Sequence, residues 1–269
     1  MEDIIKDNLE KKSLKREDIK DNLEEKSLEK EENYVVSQSS NSEFYLNAQK
    51  YWAKIPPTVN GMLGGLGYIN ALDIQGSNCF LRELKIKDAS KTCALDCGAG
   101  IGRVSKNLLM PLFAKVDLVE QDQAFAAKAH EYCVKDSGAV LGYPNRLGEI
   151  YNIGLQDFRP DVNKYNLVWS QWVLGHLTDV DLLLLFVRIR QSLIAGGHFV
   201  IKENITSSRQ VEKDDEDSSV ARPLKMYETC LKQAGFRIVK MTQQKNFPKG
   251  LYPVYMIASR PLRKKICDS

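Results

Sequence analysis

Three glycines in the stretch Leu95-Asp96-Cys97-Gly98-Ala99-Gly100-Ile101-Gly102-Arg103 stand at G-x-G-x-G spacing, directly after the short apolar run 92–95. Between a strand and a helix, glycines at this spacing let the backbone turn sharply and approach a ligand with no Cβ in the way. The chemistry this favours is recognition of a flat nucleoside; the plain alternative is a tight connection and nothing more. The spacing lacks the third-glycine placement of G-x-G-x-x-G, which disfavours a nicotinamide or flavin cofactor. An acid about 20 residues further on, at the end of the next strand, is expected to accept hydrogen bonds from ribose hydroxyls. Val116-Asp117-Leu118-Val119-Glu120 supplies it as Glu120, while Asp117 lies before the strand's carboxyl end.

These residues need a scaffold, and the pattern from 92 onward provides one. Apolar runs read as strands at 92–96, 115–120, 149–153, 165–170, 198–202, 237–242 and 252–259, with helical periodicity at 103–109, 123–134, 180–193 and 223–234. Such alternation predicts an α/β fold, a mostly parallel seven-stranded sheet with helices on both faces. The last two strands are joined by a short polar connection, 243–251, which predicts an antiparallel pair and a sheet mixed at one edge. Sheets of this kind bind ligands beyond the carboxyl ends of their strands. That rule selects 98–103, Glu120, Leu155-Gln156-Asp157, Gln171-Trp172 with Gly175-His176, and Glu203-Asn204.

Ahead of the sheet, Phe44, Ala48, Tyr51 and Trp52 predict a helix over 41–52 closed by Ile55-Pro56-Pro57, and a further helix is expected near 73–84. Between them Gly61-Met62-Leu63-Gly64-Gly65-Leu66-Gly67 reads either as a flexible connector or as a lid over a site. Residues 1–33 repeat themselves at a 14-residue offset, Ile5-Lys6-Asp7-Asn8-Leu9-Glu10 recurring as Ile19-Lys20-Asp21-Asn22-Leu23-Glu24. With twelve acids, eight bases and a sparse apolar stripe, this segment is expected to be a solvated tail, with a partner-binding helix as the sharper reading. The expected organisation is therefore a charged tail over 1–40, one catalytic-size domain over 41–262 and a basic end over 263–269.

With 43% hydrophobic and 27% charged residues in 269, the chain has apolar mass for a full core. No apolar run is long enough for a membrane span, and the charged N-terminus has no secretory h-region. Six cysteines at 79, 93, 97, 133, 230 and 267 form no C-x-x-C pair and no zinc spacing. The expectation is reduced thiols in the nucleus or cytoplasm, no secretion, no membrane partner and no metal. A formal net charge of +3 gives no footprint for direct nucleic-acid binding.

LDCGAGIGR with Glu120 resembles motifs one and two of the class I S-adenosylmethionine-dependent methyltransferases, which implies their Rossmann-like fold with an antiparallel edge strand and an N-terminal helical extension. The stretches Tyr51-Trp52-x-x-Ile55-Pro56-Pro57-Thr58-Val59, GMLGGLG, GLQDF, QWVLGHLTD, IKEN and DSSVAR together resemble one family within that class. It is the protein N-terminal (alpha-N) methyltransferases, which modify the free amine of proteins beginning X-Pro-Lys or X-Pro-Arg after removal of the initiator methionine. The similarity runs from about Phe44 to Ala258. It implies S-adenosylmethionine as cofactor and protein N-termini as partners.

The resemblance also implies residue roles. Gly98, Gly100, Arg103 and Glu120 would meet the cofactor's amino-acid and ribose parts, Leu155 and Gln156 its adenine, and Gln171 would lie beside it near the peptide entrance. On the peptide side Trp172 would pack on the second-position proline, with Leu63 and Ile69 closing that pocket, and Trp52 would also contact the substrate. Asn204 would hold the first peptide carbonyl, Tyr252 a later group, and Asp214, Asp217 and Ser219 the third-position base. Asp217 and His176 would take the amine's proton, directly or through water. An α-amine titrates near 7.7–8 against about 10.4 for lysine, so deprotonating it at neutral pH costs only about 1 kcal/mol and a modest base suffices.

Plain alternatives stand beside these roles: a helix-surface arginine for Arg103, ordinary core for Trp172, a structural imidazole for His176 and a solvated loop for the acids 214–217. The sequence also departs from the family pattern, with Pro223 after Arg222 where an acid is usual, and with Glu120 and Glu203 where aspartate is common. Two other functions remain open at this point. One is a methyltransferase of the same fold acting on a different amine; the other is a weakly catalytic module that binds X-Pro-Lys N-termini.

Overall fold

A computed structural model describes residues 42–86, 89, 92–135 and 142–262. The duplicated tail 1–33, the polar link that follows it and the basic end 263–269 lie outside the described residues. The chain divides into two compact units, 1–46 and 47–269. Residues 42–52 (α1) are helical and include the boundary between them.

In the second unit seven strands form one sheet. They are β1 (Cys93–Cys97), β2 (Lys115–Val119), β3 (Leu147–Tyr151), β4 (Tyr165–Gln171), β5 (Leu193–Asn204), β8 (Phe236–Gln243) and β9 (Val254–Pro261). Their order is β3-β2-β1-β4-β5-β9-β8. β1 to β5 run parallel, and β9 inserts between β5 and β8 antiparallel to both, which makes the expected mixed edge. The order reverses at β1 and β4, the switch point where a ligand crevice opens.

Helices cover both faces. Phe80 and Leu81 of α3 (Asn70–Leu84), Leu108 and Leu109, and Ala129 and Cys133 of α4 (Gln123–Val134) pack with Ala94, Val116, Leu167 and Val200 on one face. Phe199 points the opposite way from Val200, and there it meets Phe186 of α5 (Asp179–Ser192) with ring centroids 5.0 Å apart. α6 (Leu224–Gln233) follows Pro223, which lies just outside it as N-cap rather than as its first residue, because its ψ of 149° is extended.

Several expected boundaries shift. β5 reaches back to Leu193, β3 ends at Tyr151 rather than 153, and β9 begins at Val254 rather than 252. The expected helix 103–109 turns into a π-helix over Ser105–Leu109. The glycine-rich stretch is ordered: α2 (Val59–Met62), capped by the Thr58 side chain, precedes a turn in which Gly64 and Gly65 adopt positive φ and a 3-10 turn over Gly67–Ile69. The acidic run, expected as a loop, forms the tip of a two-stranded hairpin, β6 (Glu212–Asp214) with β7 (Ser219–Ala221).

Candidate active site

The glycine turn takes the conformation its sequence requires. Gly98, Gly100 and Gly102 have φ of 69°, 55° and 77°, a region that side chains with a Cβ rarely adopt. A Cβ on Gly98 would lie 2.3 Å from Val173 Cγ2, and one on Gly100 would lie 2.6 Å from Met62 Sδ. Glu120, immediately after β2, closes this cradle: Oε2 accepts from the Gly100 N–H at 2.8 Å and Oε1 from the Asp122 N–H at 2.8 Å. Burial pushes its carboxyl up to about 7, against the pull of those donors.

One cavity lies over this turn, lined by Gly98, Gly100, Arg103, Glu120, Leu155, Gln156 and Gln171 among others. All seven expected cofactor residues thus meet in one place. A glycine cradle, a buried acid at the second strand's end and an arginine fit a nucleoside that carries a carboxylate.

Two of the seven are more occupied than expected. The Gln171 amide donates to both Asp73 carboxylate oxygens and its Oε1 accepts from the Trp169 indole, so its side chain is held by the protein. Arg103 is not a surface residue; it is buried, donates to Asp73 at 2.7 Å and to Asn70 at 3.0 Å, and lies 5.7 Å from the Trp172 ring centre.

Asp73 and Lys202, which the sequence analysis did not select, organise this region. The Lys202 ammonium, fully buried, pairs with Asp73 and donates to Ser77 Oγ at 2.9 Å and Gln244 Oε1 at 3.0 Å. Burial would raise the Asp73 carboxyl, but Lys202 and Arg103 hold it below its ordinary value. The available signal was a lysine inside the apolar run His198-Phe199-Val200-Ile201-Lys202.

A second cavity, about 490 Å³, is lined by Leu63, Ile69, Trp172, Asn204, Asp214, Asp217, Ser219 and Tyr252, all expected on the peptide side, and by Trp52. Phe247, not selected from sequence, adds an aromatic wall 6.4 Å from the Trp172 ring. Tyr252 donates to Glu212 at 2.6 Å across the rim. Trp52, Met62, Trp172 and His176 line both cavities and form the neck between them.

Trp172 holds φ 53°, a strained conformation for a bulky residue, and its buried indole N–H has no partner among the described residues. Glu203 fixes the backbone just beyond, accepting from the Val173 and Leu174 N–H groups at 2.9 Å each. Burial pushes its carboxyl up to about 7, against the pull of those two donors, and Glu203 also lines the second cavity.

His176 sits on the 3-10 turn Leu174–His176. Its Nε2 accepts from the Trp52 indole at 3.0 Å and lies 3.9 Å from Asp217 Oδ2, while Nδ1 is 3.4 Å from the Ser218 carbonyl. Burial lowers its affinity for a second proton, although Asp217 and Asp214 pull the other way. Asp217 lines the second cavity, and its Oδ1 is buried with no hydrogen-bond partner among the described residues. Arg222 ties the parts together, donating to the Leu174 and Leu177 carbonyls on either side of His176 and to Asp179.

Known proteins resemble this chain in sequence and in fold. The profile of a family described as AdoMet-dependent proline di-methyltransferase matches residues 40–260. The chain is 59% identical over 224 residues to the Drosophila melanogaster alpha N-terminal protein methyltransferase 1, covering 83% of this chain and 79% of that one. It is 43% identical over 223 residues to the Xenopus laevis N-terminal Xaa-Pro-Lys N-methyltransferase 1-A, covering 81% and 96%. A solved SAM-dependent methyltransferase from Leishmania major superposes with a TM-score of 0.74 at 34% identity, over 81% of this chain and 83% of that one. With the profile spanning both cavities and the hairpin beside them, the chain belongs to the AdoMet-dependent proline di-methyltransferase family.

Proposed function

We propose that this S-adenosylmethionine-dependent methyltransferase modifies the free α-amine of proteins that begin Xaa-Pro-Lys or Xaa-Pro-Arg. The observation that carries the reading is the pair of cavities meeting at the neck of Trp52, Met62, Trp172 and His176, with Asp217 among the residues that line the second. Gly98, Gly100, Arg103, Glu120, Leu155 and Gln156 are the residues suited to hold the cofactor, which supplies an electrophilic methyl on a sulfonium. On the other side Trp172, Leu63, Ile69 and Phe247 offer an apolar slot of the kind a proline ring fills. Beyond it, Asp214 and Ser219 on the hairpin, with Glu212 and Tyr252, make an acidic rim for a lysine or arginine in third position. Asn204 lies where a peptide carbonyl can be held. The names of the Drosophila and Xenopus relatives support this substrate class.

Positioning supplies much of the rate for an in-line methyl transfer, so the placement of the neck residues is itself part of the chemistry. The test is mass spectrometry of a hexapeptide starting Ser-Pro-Lys, incubated with the protein and S-adenosylmethionine beside its N-acetylated twin. Methyl groups are expected on the free peptide alone. Equal methylation of both, or of neither, overturns the reading. We also propose a nuclear or cytoplasmic location; the five described cysteines, all free thiols, support a reducing compartment.

A further inference from the structure

Two acid–base groups face the neck, and their surroundings divide the work between them. An indole N–H only donates, so the 3.0 Å bond from Trp52 requires a lone pair on His176 Nε2. A carbonyl only accepts, so the Ser218 oxygen 3.4 Å from Nδ1 requires the ring proton there. Both neighbours, on different elements, demand the same tautomer: neutral, protonated on Nδ1. Trp52 also packs edge-on against the imidazole, with ring centres 5.8 Å apart at 84°, and edge-on against Phe125. Its N–H therefore has little freedom to turn away.

The same chain of donors reaches the second group. Ser218 has φ 53°, a strained position in the hairpin tip, and it directly follows Asp217. The imidazole N–H aimed at its carbonyl steadies that turn and, with it, the carboxylate. With the His176 lone pair engaged by Trp52, the acceptor left in this cluster is the half-buried Asp217 carboxylate, whose Oδ2 lies 3.9 Å from Nε2 and whose buried Oδ1 has no hydrogen-bond partner among the described residues.

From this geometry we propose that Trp52 is a positioning residue: it locks His176 in the Nδ1–H tautomer and thereby makes Asp217 the group that takes the amine's proton. The inference rests on the α-amine reading above. In the step it describes, an N–H bond of the substrate ammonium breaks, its electron pair stays on nitrogen, and the proton forms an O–H bond on Asp217. The charged groups facing His176 are Asp217 and Asp214 from the hairpin, and Tyr51 precedes Trp52 on α1 with its hydroxyl in the field of the same acids. Burial favours the neutral imidazole, in keeping with that division.

The experiment is nitrogen-15 NMR of the imidazoles in the full chain labelled at histidine, wild type beside Trp52→Phe, with turnover measured on the Ser-Pro-Lys peptide. Wild-type His176 is expected to show a protonated Nδ1 and a hydrogen-bonded, unprotonated Nε2. Trp52→Phe keeps an aromatic ring at the position but removes the donor together with the volume of the indole's second ring. It is expected to mix the tautomers, move the His176 titration to higher pH and lower kcat about tenfold, with peptide affinity changed less than about twofold. A wild-type Nε2–H tautomer overturns the proposal, as does a Trp52→Phe protein with unchanged tautomer or unchanged kcat.

If Trp52→Phe does not fold, His176→Gln and Asp217→Asn decide. The proposal expects a loss of about tenfold for the first and at least about a hundredfold for the second, and the reverse order overturns it. Absence of wild-type methylation overturns the substrate reading instead, because the NMR measurement needs no substrate.

Discussion

Asp217 and Glu120 are both carboxylates at the site, yet their surroundings give them opposite chemistry. Asp217 lines one cavity, and its buried Oδ1 has no hydrogen-bond partner among the described residues. Asp217→Asn is expected to lower kcat about a hundredfold or more while leaving the cofactor's Kd within about twofold, measured by initial rates and calorimetry. Lost cofactor binding with unchanged kcat at saturation would remove Asp217 from the chemistry. Glu120 is instead pushed up to about 7 by burial, so the folded protein holds a proton that an ordinary glutamate, at 4.5, has released. Between those values the folded state binds more protons than the unfolded one, and this group's contribution to stability declines as pH rises toward 7. Ribose hydroxyls donate best to the ionised form, so cofactor affinity should strengthen from pH 6 to pH 8. Glu120→Gln should flatten that dependence, and an unchanged slope would show that another group carries it. At this scale the sequence was informative because strand ends could be located and their polar residues counted. It missed Asp73, Phe247 and the Trp52–His176 bond, since none follows from spacing: each depends on elements 30 to 129 residues apart meeting in space.

Strand and helix positions from β1 onward were legible because apolar alternation and helical periodicity act locally. The hairpin β6–β7 was not, because its strands are three residues each and β6 is wholly charged, so no apolar alternation announces it. Its placement comes from contacts with the turn that bears His176. Arg222, next to β7, donates to the carbonyls of Leu174 and Leu177, and a Cβ on Gly175 would lie 2.9 Å from the Val220 carbonyl oxygen. Arg222→Leu would leave both carbonyls without this partner, at a cost of about 2–5 kcal/mol in urea unfolding. Gly175→Ala should push hairpin and turn apart, lowering kcat by about tenfold or more while the cofactor's Kd holds. A Gly175→Ala protein with wild-type kcat would show that this contact does not set the catalytic geometry. The π-helix after the glycine turn also escaped the sequence reading, since an extra residue per turn leaves the apolar pattern nearly intact over five positions.

Across the molecule the sheet's switch point and the Asp73–Lys202 pair bind the cofactor side to the far edge. Lys202 on β5 reaches α3 through Asp73 and Ser77, and Gln244 after β8 through its amide oxygen. Lys202→Met would leave part of a fully buried carboxylate unanswered and is expected to cost about 3–5 kcal/mol by urea unfolding, with cofactor affinity weakened through Arg103. The two cavities share four side chains and otherwise have separate walls. A steady-state consequence follows: neither ligand must pass through the other's chamber, so turnover needs no compulsory order of addition. Initial-rate plots should intersect, and the N-acetylated peptide, as a dead-end inhibitor, should be noncompetitive with S-adenosylmethionine; an uncompetitive pattern would show that the cofactor must bind first.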